Sequence, residues 1–208
     1  MMIQEKPKTQ QKLTFEQFLE QYPEAGGCYE LIEGEIVEMR PMGKHEKIAA
    51  FITRKFNVKI DRNHLSYFIP KTCLIKPILL NSGYIPDVIF LDNQTIGDDP
   101  LWEKYSTVSE GKSIKLVVEV VSTNWQNDYL RKLADYEMLG ISEYWVVDYL
   151  GLGGNRYIGY PKIPTIFIYS LIDNEYDIQQ FKNEDRLVSP TFPELNLTVA
   201  QIFSQVSQ

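Results

Sequence analysis

The run Leu116-Val117-Val118-Glu119-Val120-Val121 constrains this chain more than any other segment. A near-continuous stretch of β-branched and aliphatic residues fits a strand covered on both faces, in the middle of a sheet. Its one charged residue is Glu119. Residues 127–139 follow as a helix, because Leu130, Leu133, Ala134 and Met138 recur at the 3.6 period and Gly140 supplies the C-terminal stop. Residues 143–149 form the next strand. This strand–helix–strand unit implies a parallel pair with a right-handed crossover.

Around that unit the pattern is mixed. Thr14 and Gln17 make a capping box before Phe15, Phe18 and Leu19, and Pro23 with Gly26-Gly27 ends that short helix. Residues 29–39 are two alternating runs about Glu33-Gly34, a β-hairpin with a tight turn. Ile48, Ala49, Ile52, Phe56 and Ile60 mark a helix over 44–61. Short strands are predicted at 66–69, 73–76 and 87–91, then a polar loop over 93–112 with a helical piece around Trp102. Runs at 156–160, 165–171 and 175–181 read as a terminal meander, and Thr198 caps a last helix ending near Val206. The hairpins are expected to add antiparallel strands to the same sheet. The fold class is therefore α/β, in the α+β sense of one mixed sheet with flanking helices and a C-terminal antiparallel meander. Residues 13–208 are expected to form one domain behind a flexible polar tail, 1–12.

Composition narrows the function. Of 208 residues, 44% are hydrophobic and the net charge is −7, which suits a folded body and argues against a protein that coats nucleic acid non-specifically. The longest apolar stretches run six to eight residues, far short of the ~20 of a membrane span. The polar N-terminus shows no apolar signal-peptide core. Cys28 and Cys73 are expected as buried free thiols in a cytoplasmic protein. With only His45 and His64 beside them, no zinc spacing is present. Lys44, Lys47, Arg54, Lys55, Lys59 and Arg62 crowd one helix against Glu46 and Asp61, which reads first as a solvated face.

A carboxylate inside a buried strand is costly unless it pairs with a cation or binds a metal. Asp87 opens a second apolar strand. Two carboxylates on neighbouring strands can converge on a hard divalent cation, Mg²⁺ or Mn²⁺, with the Val120 backbone carbonyl as a further oxygen. Such an ion activates water and polarises a phosphate, and an ammonium nearby stabilises the charge that develops. Lys132 is the candidate, in the second turn of the helix after Glu119. On spacing alone the better reading is a surface pair with Asp128, four residues earlier, with Tyr136 one turn on. Aimed at the metal, Lys132→Ala is expected to leave folding almost unchanged and to lower cleavage by orders of magnitude. Glu30, Glu33 and Glu46 are expected on the solvated surface, and Tyr144-Trp145 in the core beneath the sheet.

Pro86-Asp87-Val-Ile-Phe-Leu, Leu116-Val-Val-Glu119-Val-Val-Ser122 and Asp128-Tyr-Leu-Arg-Lys132-Leu-Ala-Asp-Tyr136-Glu-Met-Leu-Gly140-Ile-Ser-Glu-Tyr144-Trp145-Val-Val-Asp148 together resemble the Uma-type family of restriction endonucleases, within the PD-(D/E)XK nuclease superfamily. The Tyr29–Glu35 hairpin and His45 match as well, so the likeness spans roughly residues 14–205. It implies a restriction-endonuclease-like core, a metal-dependent endonuclease acting on DNA, and Asp87, Glu119, Lys132 and His45 in the catalytic centre. It departs from the superfamily's Glu-x-Lys strand, where Val121 stands at the lysine position and the role passes to Lys132. Residues 123–126 also lack the family's Pro-containing turn. His45 faces the cleft on this reading, and otherwise is a backbone-bonded residue at a helix start. A homodimer is expected, since cutting a duplex takes two sites. The rival readings are a nuclease-like fold that binds DNA or protein without cutting, and a two-carboxylate glycosidase, which has no need of Lys132. No phosphate-binding Gly-x-x-x-x-Gly-Lys loop is present.

Overall fold

The computed structural model describes residues 12–23, 26–79 and 81–206; residues 1–11 of the expected tail lie outside them. Thr14 caps α1 (Phe15–Glu20) through the capping box with Gln17. β1 (Cys28–Ile32) and β2 (Glu35–Met39) form the hairpin, and its turn residues Glu33 and Gly34 both take positive φ, 50° and 85°, as a two-residue turn between twisted strands requires. This hairpin stands as its own two-stranded sheet rather than joining the main one. Its Leu31 packs with Phe15 and Phe18 of α1, so the hairpin and α1 form a small separate core. The long helix α2 (Gly43–Asn63) buries the predicted Ile48, Ile52, Phe56 and Ile60.

The remaining elements run in order β3 (Tyr67–Phe68), β4 (Leu74–Ile75), β5 (Val88–Asp92), α3 (Trp102–Tyr105), β6 (Thr107–Val108) and β7 (Ile114–Val120). After them come a π-helical turn at Asn127–Arg131, α4 (Lys132–Leu139), β8 (Glu143–Asp148), α5 (Asn155–Ile158), β9 (Thr165–Ile172), β10 (Glu175–Lys182) and α6 (Val199–Phe203). Six strands make the main sheet in the order β10-β9-β8-β7-β5-β3, while β4 and β6 pair with each other. Only β7 and β8 are parallel within the six, as the crossover predicts. Alternation along the central strands splits the interior. Val88, Phe90, Leu116, Val118 and Val120 face α2 and the C-terminal segment, and Ile89, Leu91, Val117 and Val121 face the α4 side.

Three further expectations need correction. Residues 156–160 are not a strand: Asn155–Ile158 is a helical turn between Gly154 and Gly159, with Tyr157 packed on Trp125 and Tyr129. The meander is instead β8-β9-β10, all antiparallel neighbours. Cys28 is exposed because it begins the hairpin, while Cys73 is a buried free thiol that burial pushes up to about 12. The third correction matters most. Leu130 and Met138, two residues that define the apolar stripe of the crossover helix, are 41% and 54% exposed. The helix buries Asp128, Tyr129, Lys132, Asp135 and Tyr136 instead. Its inner face is aromatic and charged because it lies against Glu119, not against a hydrocarbon surface.

Candidate active site

β5 and β7 are antiparallel with Val88 opposite Val118, so the same register carries Asp87, just before β5, to the level of Glu119. Both carboxylates have the parity of the α4-side residues Ile89, Val117 and Val121. Asp87 Oδ2 accepts a hydrogen bond from the Val120 amide at 2.6 Å and lies 3.2 Å from His45 Nε2. His45 reaches it from the first turn of α2. Its Nδ1 is buried without a hydrogen-bond partner.

Glu119 sits one step deeper. Its Oε1 accepts from Tyr136 OH at 2.8 Å and lies 3.1 Å from Lys132 Nζ. The same ammonium is 3.1 Å from Glu30 Oε1 and 3.8 Å from Asp128 Oδ1, and stands 5.5 Å from the centre of the Tyr84 ring. Lys132, Glu119 and Glu30 are 3%, 3% and 2% exposed. The π-helical turn helps set this up: the Lys132 amide bonds back to the Asn127 carbonyl, five residues away, which turns the helix relative to a uniform α-helix. The i,i+4 pair with Asp128 is therefore a buried side of the cluster, not a surface pair. Lys132→Ala cannot leave folding unchanged, since three carboxylates would lose their counter-charge in the interior.

Glu33 and Glu46 lie on the surface as expected, Glu33 pairing with Arg131 at 3.0 Å. Glu30, Asp128 and Tyr136 are the members that sequence reasoning placed elsewhere or left unassigned. A signal for Glu30 was present: it shares a strand face with Ile32, which packs on the main core, so that face had to turn inward. Ile85 N–H donates to Glu30 at 3.0 Å and ties the hairpin to the β5 approach. Tyr144 and Trp145 are fully buried, as predicted.

Buried Asp92 pairs with Lys115 at 3.1 Å, and two other buried carboxylates are held by neutral donors. Asp148 accepts from Tyr129 OH and the amides of Leu152 and Gly153, and Glu143 accepts from Trp145, Ser189 and Thr191. These hold loops. Among the described residues, only around Lys132 do several carboxylates gather on one cation. Burial drives the Glu119 carboxyl well above its usual range; Lys132 opposes this, and Asp87, Asp128 and Glu30 reinforce it. Asp128 is raised to about 7, again by burial first, with Lys132 opposing and Asp87 and Glu30 adding. Burial would pull Lys132 down, but Glu119, Glu30 and Asp128 hold it charged, well above the ordinary lysine value. For His45, burial favours the neutral ring, and the hydrogen bond and charge of Asp87 more than offset it.

Asp87, Glu119, Glu30 and Asp128 thus face one ammonium and one imidazole. Burial raises Glu119 and Asp128 above the usual carboxylate range, so these two favour either a bound proton or a further cation. The donor set, all carboxylate and backbone oxygen, fits a hard divalent ion rather than a soft one. As placed, no three His, Cys, Asp or Glu side chains among the described residues form a ready coordination cluster. Lys132 and His45 hold the positions beside the carboxylates.

The family model of Uma2, described as "Putative restriction endonuclease", matches residues 15–200. The chain belongs to this family. Uma2 membership covers both carboxylate strands, Lys132 and the hairpin that carries Glu30. A crystal structure of a protein from Anabaena variabilis, described as "a putative nuclease belonging to DUF820", is similar in fold, with a TM-score of 0.68 over 93% of this chain and 98% of that one at 20% identity. Among curated proteins there is no match. In this Uma2 chain Val121, at the superfamily's lysine position, is buried in the apolar α4-side core, and the ammonium beside Glu119 comes from Lys132. Among the described residues no helix is long and apolar enough to cross a membrane.

Proposed function

We propose that the chain is a metal-dependent endonuclease that hydrolyses phosphodiester bonds of DNA. The observation that carries this reading is the buried Lys132 ammonium, 3.1 Å from Glu119 and next to the Asp87–His45 pair, at the meeting of two carboxylate-bearing strands. Asp87, Glu119 and the Val120 carbonyl would hold Mg²⁺ or Mn²⁺. When bound, the ion would polarise the scissile phosphate and lower the pKa of a water. Lys132 stabilises the negative charge that builds on the phosphate, in a site where burial strengthens the interaction. Glu30 and Asp128 keep Lys132 protonated and fix its direction. Tyr136 orients Glu119. His45, 3.2 Å from Asp87, would serve as a phosphate contact or proton carrier. A second copy would cut the second strand of a duplex, and the free thiols suit a reducing cytoplasm.

The test is nicking of supercoiled plasmid with Mg²⁺ or Mn²⁺, compared with EDTA and with Asp87→Ala. Wild type is expected to nick only with metal, and Asp87→Ala to lose at least ~100-fold, the scale of removing one transition-state stabiliser. Equal nicking by the variant would remove Asp87 from the site. Absence of metal-dependent cleavage on every DNA and RNA substrate would leave a non-cutting module.

A further inference from the structure

We propose that the outward face of α2 is a track for the phosphodiester backbone of the nucleic-acid strand beside the cleavage position. The proposal rests on the nuclease reading and names the surface that receives its substrate. A groove of about 500 Å³ runs from Asp87 along α2 past Glu46, Thr53 and Asn57 to Asp61. A second groove of about 500 Å³, lined by Arg54, Lys55, Lys59 and Arg62 against residues 195–197, shares Arg54 and Val58 with the first. The two make one continuous surface that begins at a catalytic carboxylate.

Its charge runs against that of the molecule. The two grooves are lined by Arg54, Lys55, Lys59 and Arg62 against Glu46, Asp61 and Asp87, four minus three, or +1, and residues 44–62 as a whole carry Lys44, Lys47 and those four cations against Glu46 and Asp61, six minus two, or +4. The whole chain is −7, so the remainder is −7 − 4, or −11. Among the described residues none of these six cations has an ion-pair partner, whereas Lys76, Lys112, Lys115, Arg131 and Lys132 all do. Arg54 and Lys55 instead lie 5.4 and 5.3 Å from the centre of the Phe51 ring, which orders them without neutralising them. Unpaired, ordered cations in a groove complement a polyanion. From Glu46 to Arg62 the helix rises about 24 Å, the length of roughly seven base steps at ~3.4 Å each. The end nearest Asp87 is the N-terminal end of α2, so the flanking strand leads away from the site toward Arg62.

The experiment measures binding of a fluorescent DNA duplex to the full chain, without divalent ion, across a salt series. The test variant is Arg54→Glu/Lys55→Glu/Arg62→Glu. Lys71→Glu/Lys104→Glu/Lys162→Glu is the control, matched in charge and built from exposed lysines elsewhere. The α2 variant is expected to bind at least ~10-fold more weakly and to flatten the slope of log affinity against log salt by about 2.7, or ~0.9 per lost phosphate contact. The control should keep wild-type affinity and slope. Equal weakening of both variants, undiminished binding by the α2 variant, or no binding by wild type at low salt would each overturn the track. So would a shift of the α2 variant from dimer to monomer with DNA binding intact, which would make this face an interface between copies. Plasmid nicking separates the two readings. Binding through α2 with no metal-dependent cleavage would sink the nuclease reading alone, and nicking unaffected by the α2 reversals would sink the track alone.

Discussion

Replacing Lys132 with Met keeps the length of the side chain and removes its charge. In the native protein that charge lies 3.1 Å from Glu30, 3.1 Å from Glu119 and 3.8 Å from Asp128, with 3% of the residue exposed. Breaking a buried pair by removing one partner costs about 3–5 kcal/mol, because the other partner is left charged in the interior. Here the carboxylates can relieve part of that cost by taking protons, and this gives the loss a pH dependence. Lys132 lowers the proton affinity of both Glu119 and Asp128, so without it their folded-state pKa values, already raised, climb further. A carboxyl raised above its unfolded value stabilises the fold at low pH and loses that contribution as pH rises through the folded pKa. The variant should therefore be close to wild type near pH ~4, where the unfolded carboxyls also hold protons, and weakest above pH ~7. Urea denaturation of both proteins across that range reads the difference directly. A loss at high pH under ~1 kcal/mol, the size of a surface i,i+4 pair, would refute the buried-keystone argument, as would a loss independent of pH.

Two further outcomes are expected. Mg²⁺ should raise the melting temperature by about 5–10 °C at saturating concentration, from a binding contribution of ~2.7 kcal/mol at 100 times Kd and ~2–4 °C per kcal/mol. Because Glu119 must give up a proton to hold an ion, the shift should shrink as pH falls and vanish in Asp87→Ala; a shift that grows on acidification would contradict the assignment. Gly111→Ala should cost about 3 kcal/mol, since its Cβ would fall 2.0 Å from the Leu139 carbonyl oxygen at the end of α4, which is backbone and cannot swing aside. A melting curve indistinguishable from wild type would contradict this prediction.

The sequence by itself determined the elements and the chemistry it could offer. The valine-rich run around Glu119 fitted a central strand, Glu33-Gly34 a tight turn, Thr14 announced its capping box and Thr198 its helix cap. These are local rules, met within a few residues of chain. The family likeness added Lys132, which spacing alone assigned to a surface pair. What tertiary structure decided is which side of each element is inside. The 3.6 period of Leu130, Leu133, Ala134 and Met138 gave the helix, but of these only Leu133 packs on the core, because the partner surface carries Glu119 and accepts Tyr136 and Lys132 in place of hydrocarbon. Glu30 is 89 residues from Glu119 in the chain, by subtraction of their numbers, and its pairing with the same ammonium depends on how a separate hairpin docks. Period and propensity describe one segment at a time. The energy of a buried charge depends on all the charges that surround it, and those are assembled only when the segments meet.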